Sequence, residues 1–323
     1  MKEDYENWLT IAKGYGIILV VLGHAISGAG AYENNLIWSN IYSLIALFHM
    51  PLFFIISGYL YQKNYKKRSL ANNIVRKVAA LGIPYIIYNV VYALVGQLTG
   101  DDKYNIQNLR LIWYRPISHF WFVYVLLIIY IIYPLMNKLI HNNIALFLVI
   151  LLVNIIISLC NLHISGFEVS RCIYYSLFFS FGTILLIYNF RKLMNNKRMI
   201  IICTVFFILI CGLNIAGYSN IIFNILGGIT GTILVMAISA VTKENFIFKL
   251  GKFSLPIYLY HSLIVSFSRK VLMLLKINNL SIVILITSFV GVMLSYYIYV
   301  VFKRLKIFDF SVYPLKYLMR KKL

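Results

Sequence analysis

Ten apolar runs, separated by short polar or turn-rich links, dominate the chain near residues 9–27, 39–61, 78–97, 118–136, 144–160, 172–190, 199–217, 221–241, 253–273 and 281–302. A helix needs about 20 mostly apolar residues to cross about 30 Å of hydrocarbon. The pattern therefore predicts an all-α, polytopic membrane helix bundle of about ten transmembrane helices. Between the runs at 199–217 and 221–241 the link is so short that a re-entrant arrangement stays open.

The links alternate in charge. Lys63, Lys66, Lys67, Arg68, Arg76 and Lys77 fall between the second and third runs, Arg191, Lys192, Lys197 and Arg198 between the sixth and seventh, and the tail from Lys303 carries seven basic residues. The alternate links are poorer, and 28–38 has no basic residue. Short basic loops stay in the cytoplasm, so both termini are expected there. The links leave no room for a soluble domain, and residues 1–323 are expected to form a single integral-membrane domain.

Composition agrees. The chain is 61% hydrophobic and 12% charged, with a mean hydropathy of +0.83. A formal charge of +21 would suggest nucleic acid in a soluble protein, but the basic residues lie in short clusters between apolar runs, as topology signals do. The four cysteines, Cys160, Cys172, Cys203 and Cys211, lack CxxC or His-paired spacing, so neither a metal nor a redox motif is expected. Cys160 and Cys172 flank one outer link, where a disulfide and two separate thiols are both compatible with the spacing.

Ionisable residues inside a membrane are costly and mark functional sites by default; the alternative for each is a helix-to-helix hydrogen bond. Lys13 and His24 are eleven residues apart, which brings a helix to within about 20° of its starting direction and about 16 Å further along. They share one face, with Lys13 near the cytoplasmic surface and His24 in the outer part of the membrane. Snorkelling explains Lys13 alone, not a histidine three turns above it. The second run, "LFHMPLFFIISGYL", carries His49 before Pro51 and Ser57 near its cytoplasmic end. The ninth, "GKFSLPIYLYHSL", places Ser254, His261 and Ser268 at intervals of seven, with Tyr258 three before the histidine. His119 and Trp121 open the fourth run, where an interfacial aromatic belt is the other reading. His163, Glu168 and Arg171 lie in an outer link, either against a polar substrate or solvated.

Four of these segments in order resemble the integral-membrane acyltransferase-3 family, which includes bacterial sugar O-acetyltransferases. The first-span pair of a basic residue and a histidine matches as Lys13 and His24, with Lys where Arg is usual. "FHMPLFFIISGYL", "HFWFVYVLL" and "GKFSLPIYLYHSL" are similar to three further motifs of the family. The resemblance implies transfer of an acyl group, usually acetyl, from cytoplasmic acyl-CoA (acetyl-CoA) to a hydroxyl of a carbohydrate or glycolipid at the outer face. It makes His24 the general base or transient acyl carrier and Lys13 the residue that serves CoA. His49 and His261 then line the acyl path with Ser57, Ser254 and Tyr258 in support, and His119 and Trp121 lie at the acceptor end. Some relatives carry a fused extracellular hydrolase-like domain; none is expected here, nor is a metal, and a homodimer is left open. The rival reading is a transporter of a polysaccharide or small polar solute, against which stands the lack of an internal repeat or of paired broken spans. The abundance of Ile, Asn, Lys, Tyr and Phe points to an AT-rich genome and a bacterial plasma membrane.

Overall fold

The computed structural model describes residues 4–100, 104, 106–162, 164, 166–188, 197–243 and 245–319. His163, Arg191 and Lys192 lie outside the described residues. Every regular element among the described residues is a helix. The main ones are α1 (Asp4–Gly28), α2 (Leu36–Asn64), α3 (Leu70–Thr99), α4 (Trp121–Ile140), α5 (Asn143–Leu159), α6 (Val169–Ile187), α7 (Lys197–Ile215), α8 (Ile221–Val241), α9 (Phe246–Lys252), α10 (Ser254–Leu274), α11 (Leu280–Phe302) and α12 (Lys306–Val312).

Each of the ten expected spans is helical over its described residues, and among the described residues eight of the helices are long and apolar enough by themselves to cross a membrane. The other two fall short for different reasons. Helix α5 has only 17 residues, and α10 has 21 but is interrupted by Ser254, Ser262, Ser266, Ser268, Arg269 and Lys270. The protein is thus a multi-pass membrane protein. Helices α7 and α8 are separate and pack on each other, so the short link between them joins two complete helices and makes no re-entrant loop. All four cysteines are free thiols.

Prolines inside two of the spans have different consequences. Pro84 has no N–H for the carbonyl of Ala80, and α3 widens to a π turn at Val78–Gly82 just before it. Pro51 lies inside α2, which nonetheless runs unbroken to Asn64.

The helices form two compact units, drawn from residues 1–56 and 187–301 and from 57–186 and 302–323. In the first, α1 packs on α8, α9 and α10, with Leu9, Ile11, Ile17, Ile26 and Leu52 fully buried. A Cβ on Gly14 would meet the Ile247 carbonyl of α9, and one on Gly251 would meet the Thr10 carbonyl of α1. The two backbones therefore touch at a glycine from each side, the close approach that small residues allow between membrane helices.

In the second unit, Tyr61, Tyr130, Tyr133 and Phe179 make a ring cluster with centroids 5.0–6.4 Å apart. The chain after α11 is tied down by Asp309, which is 4% exposed. Its carboxylate accepts from Lys316 Nζ at 2.9 and 3.0 Å and from the Tyr317 hydroxyl at 2.9 Å. Burial, and then the adjacent Asp309 charge, push the Tyr313 phenol up from its usual range. Replacing Asp309 with alanine removes the acceptor for these donors and is expected to cost about 1–3 kcal/mol, read as an earlier thermal unfolding of the detergent-solubilised protein.

Candidate active site

Within the first unit three histidines from three helices converge. The rings of His24 on α1 and His261 on α10 are 4.9 Å apart between centroids, inclined at 57°. His49 on α2 and His261 are both within electrostatic reach of His24. His261 is fully buried, whereas His24 and His49 each keep some accessible surface.

Backbone carbonyls set two of the rings. Nδ1 of His261 donates to the Tyr258 carbonyl at 2.7 Å and approaches that of Ile257 at 3.2 Å; Nδ1 of His49 donates to the Ile45 carbonyl at 2.7 Å. A carbonyl only accepts, so each Nδ1 carries the proton and, in the neutral ring, Nε2 is the basic nitrogen. The seven-residue stripe of α10 has a local purpose here. Tyr258, three residues before His261, supplies the carbonyl that fixes its tautomer and a ring 5.9 Å away.

Lys13 is half-buried on α1, beside Gly14, where α1 touches α9. Helix α9 adds Lys249 and Lys252, both exposed, so three ammonium groups belong to this corner of the unit. Ser254 begins α10 just beyond it. The first unit thus holds a basic corner and, about 16 Å along α1, a cluster of neutral-capable imidazoles.

The remaining candidates belong to the second unit. Ser57, about 12 Å along α2 from His49, gives its carbonyl to the Tyr130 hydroxyl at 3.3 Å, and a Cβ on its neighbour Gly58 would meet the Phe179 carbonyl. This segment of the second motif is a packing joint against α4 and α6. His119 is 3% exposed, with its ring 5.2 Å from Tyr92 and 4.3 Å from Phe120, at the turn that starts α4. Trp121 is stacked on Tyr175 at 5.3 Å and 29°, and the Arg171 guanidinium lies over the Trp121 ring, 4.8 Å from its centroid. Trp121 is thus packed against α6.

The geometry also adds residues that the stripe pattern missed. A Cβ on Gly28 would meet Nη1 of Arg269, so the guanidinium of α10 rests on α1 one turn beyond His24. That Nη1 is buried without a hydrogen-bond partner among the described residues. The signal in the sequence is a charge eight residues after His261, inside a span. Gly14 and Gly251 were missed as well, although Gly251 opens the segment "GKFS". Among the described residues no three His, Cys, Asp or Glu side chains are grouped to hold a metal.

The first unit of this membrane helix bundle thus brings together imidazoles from three helices and holds a lysine further along α1. The acyltransferase-3 family model, described as an acyltransferase domain, matches residues 6–300. The chain belongs to that family, and the protein is a membrane acyltransferase. No curated protein and no solved structure matches the chain significantly.

Proposed function

We propose that this acyltransferase moves an acyl group, acetyl in the simplest case, from cytoplasmic acyl-CoA to a hydroxyl of a carbohydrate or lipid-linked glycan at the outer face of a bacterial plasma membrane. The observation that carries this reading is the contact between His24 and His261 on helices that also hold Lys13 and Arg269. A hydroxyl is a poor nucleophile until a base takes its proton, and a neutral imidazole suits that task near pH 7.

In this reading His24 accepts the acceptor's hydroxyl proton as its oxygen attacks the thioester carbonyl carbon. The C–S bond breaks, CoA leaves as thiolate, and the proton returns to the sulfur. His261, its tautomer fixed by the Tyr258 carbonyl, holds the His24 ring in place. Lys13, with Lys249 and Lys252 near it, attracts the phosphates of CoA; as a point charge it does so without the bidentate fork of an arginine.

The purified protein, given acyl-CoA and a panel of soluble glycans, is expected to release one CoA thiol per acyl ester formed, and only when both substrates are present. Thiol release that never depends on an acceptor would remove the proposal. Replacing Lys13 with alanine is expected to raise the acyl-CoA Kd about tenfold, or about 1.4 kcal/mol; an unchanged Kd would take Lys13 out of the donor site.

A further inference from the structure

The second unit carries two adjoining cavities of opposite character at the start of α6, neither used by the histidine chemistry. One is an apolar groove of about 400 Å³ between α4, α5 and α6, lined by residues including Ile132, Met136, Val149, Val153, Cys172 and Ser176. The other is a polar cavity of about 500 Å³ lined by Tyr114, Arg115, Glu168, Ser170 and Arg171. Both volumes are in the range of small-molecule sites.

One segment serves both. Phe167, Val169 and Cys172 face the groove, while Gly166, Glu168, Ser170 and Arg171 face the polar cavity. The alternation begins with three consecutive residues in the left-handed region, Gly166, Phe167 and Glu168, with φ of 93°, 50° and 52°. That conformation costs free energy for the two that are not glycine and persists only where neighbours impose it.

The opposite wall is also held firmly. The Tyr85 hydroxyl donates to the Ile112 carbonyl and the Tyr124 hydroxyl to that of Trp113, each at 2.5 Å. Asn89 accepts from the Ile117 N–H at 3.3 Å, and the Phe167 N–H donates to the Tyr114 carbonyl at 3.0 Å. Arg115 therefore sits on a loop anchored at four points. Glu168 pairs with Arg171 at 2.7 Å, so two arginines against one carboxylate leave the cavity with a net positive charge. Arg115 also lines a further polar cavity of about 370 Å³ with Asn108 and Ser118, which gives room beyond it for a larger polar group.

From this pairing we infer that the second unit binds a long-chain lipid bearing a phosphate, with its apolar chain in the α4–α6 groove and its phosphate on Arg115. This rests on the proposed acyl transfer only in naming the lipid as the anchor of the acceptor glycan. Charge complementarity selects the occupant: a purely apolar chain leaves Arg115 unused, and a soluble anion leaves the groove unused.

The test is binding of radiolabelled hexadecyl phosphate to the full chain in phosphatidylcholine nanodiscs, with hexadecanol as the uncharged control. Hexadecyl phosphate is expected to bind at least about tenfold more tightly than hexadecanol, and Arg115→Ala to remove most of that difference. Val149→Trp, which fills the groove from its lipid-exposed side, is expected to weaken both ligands; His24→Ala is expected to change neither. Equal binding of the two ligands, or an Arg115→Ala variant that behaves as wild type, overturns the inference. Displacement by an equal mole fraction of phosphatidylglycerol would make the groove a bulk-lipid contact, and displacement by inorganic phosphate alone would make Arg115 a simple anion site; either result also overturns it. Binding without acceptor-dependent CoA release would sink the catalytic proposal and leave this one standing, whereas acyl transfer to soluble glycans without hexadecyl phosphate binding would do the reverse.

Discussion

Replacing His24 with alanine is expected to lower acyl transfer by about a hundredfold or more, the range assigned to a positioned general base, while the helical content and the acyl-CoA Kd stay near wild type. The reason is specific to its position. His24 shares the face of α1 with Lys13, contacts the ring of His261 at 4.9 Å and, unlike His261, keeps accessible surface from which to reach a substrate. A packing histidine would have the opposite signature, with weakened stability and a rate close to wild type. Rate and thermal midpoint measured on the same purified variant separate the two, and a rate within threefold of wild type would remove His24 from the chemistry.

Gly251→Val carries the second large effect, and it acts through structure. The added Cβ would meet the Thr10 carbonyl and the Gly14 nitrogen, both backbone atoms, so α1 and α9 have to separate. Overpacking of this kind costs about 1–3 kcal/mol, and here it also displaces Lys13, which adjoins the contact. The expected result is a lower thermal midpoint together with a raised KM for acyl-CoA. Gly212→Ala is the matched control, because a Cβ there meets nothing within 4 Å; its midpoint is expected to hold or rise. Equal behaviour of the two variants would contradict the close contact.

What the sequence made legible follows from what membrane burial makes expensive. The spans could be read because about 20 apolar residues cross the bilayer, and the shared face of Lys13 and His24 because helical periodicity is fixed. Tyr258 could be placed beside His261 for the same reason: three residues back is one turn down. The convergence of α1, α2 and α10 that brings His24, His49 and His261 together depends on packing between segments distant in the chain, and periodicity within one helix carries no information about it. Gly14 and Gly251 were illegible for a related reason, since a glycine's value here lies in the backbone it lets approach. The α5 helix and the polar α10 show the limit of hydropathy itself: α5 is too short to qualify alone, and α10 carries the site's own polar residues.

Acyl transfer from CoA through His24 can be measured in sealed vesicles of uniform orientation. Acyl-CoA is supplied only on the face that bears the basic links, and a hydroxyl acceptor only on the other. One free CoA is expected on the first face for each acyl ester on the second, with both products falling about a hundredfold or more in His24→Ala. Ester formation at equal rates in the wild type and His24→Ala, or passage of a solute with no CoA released, would contradict it.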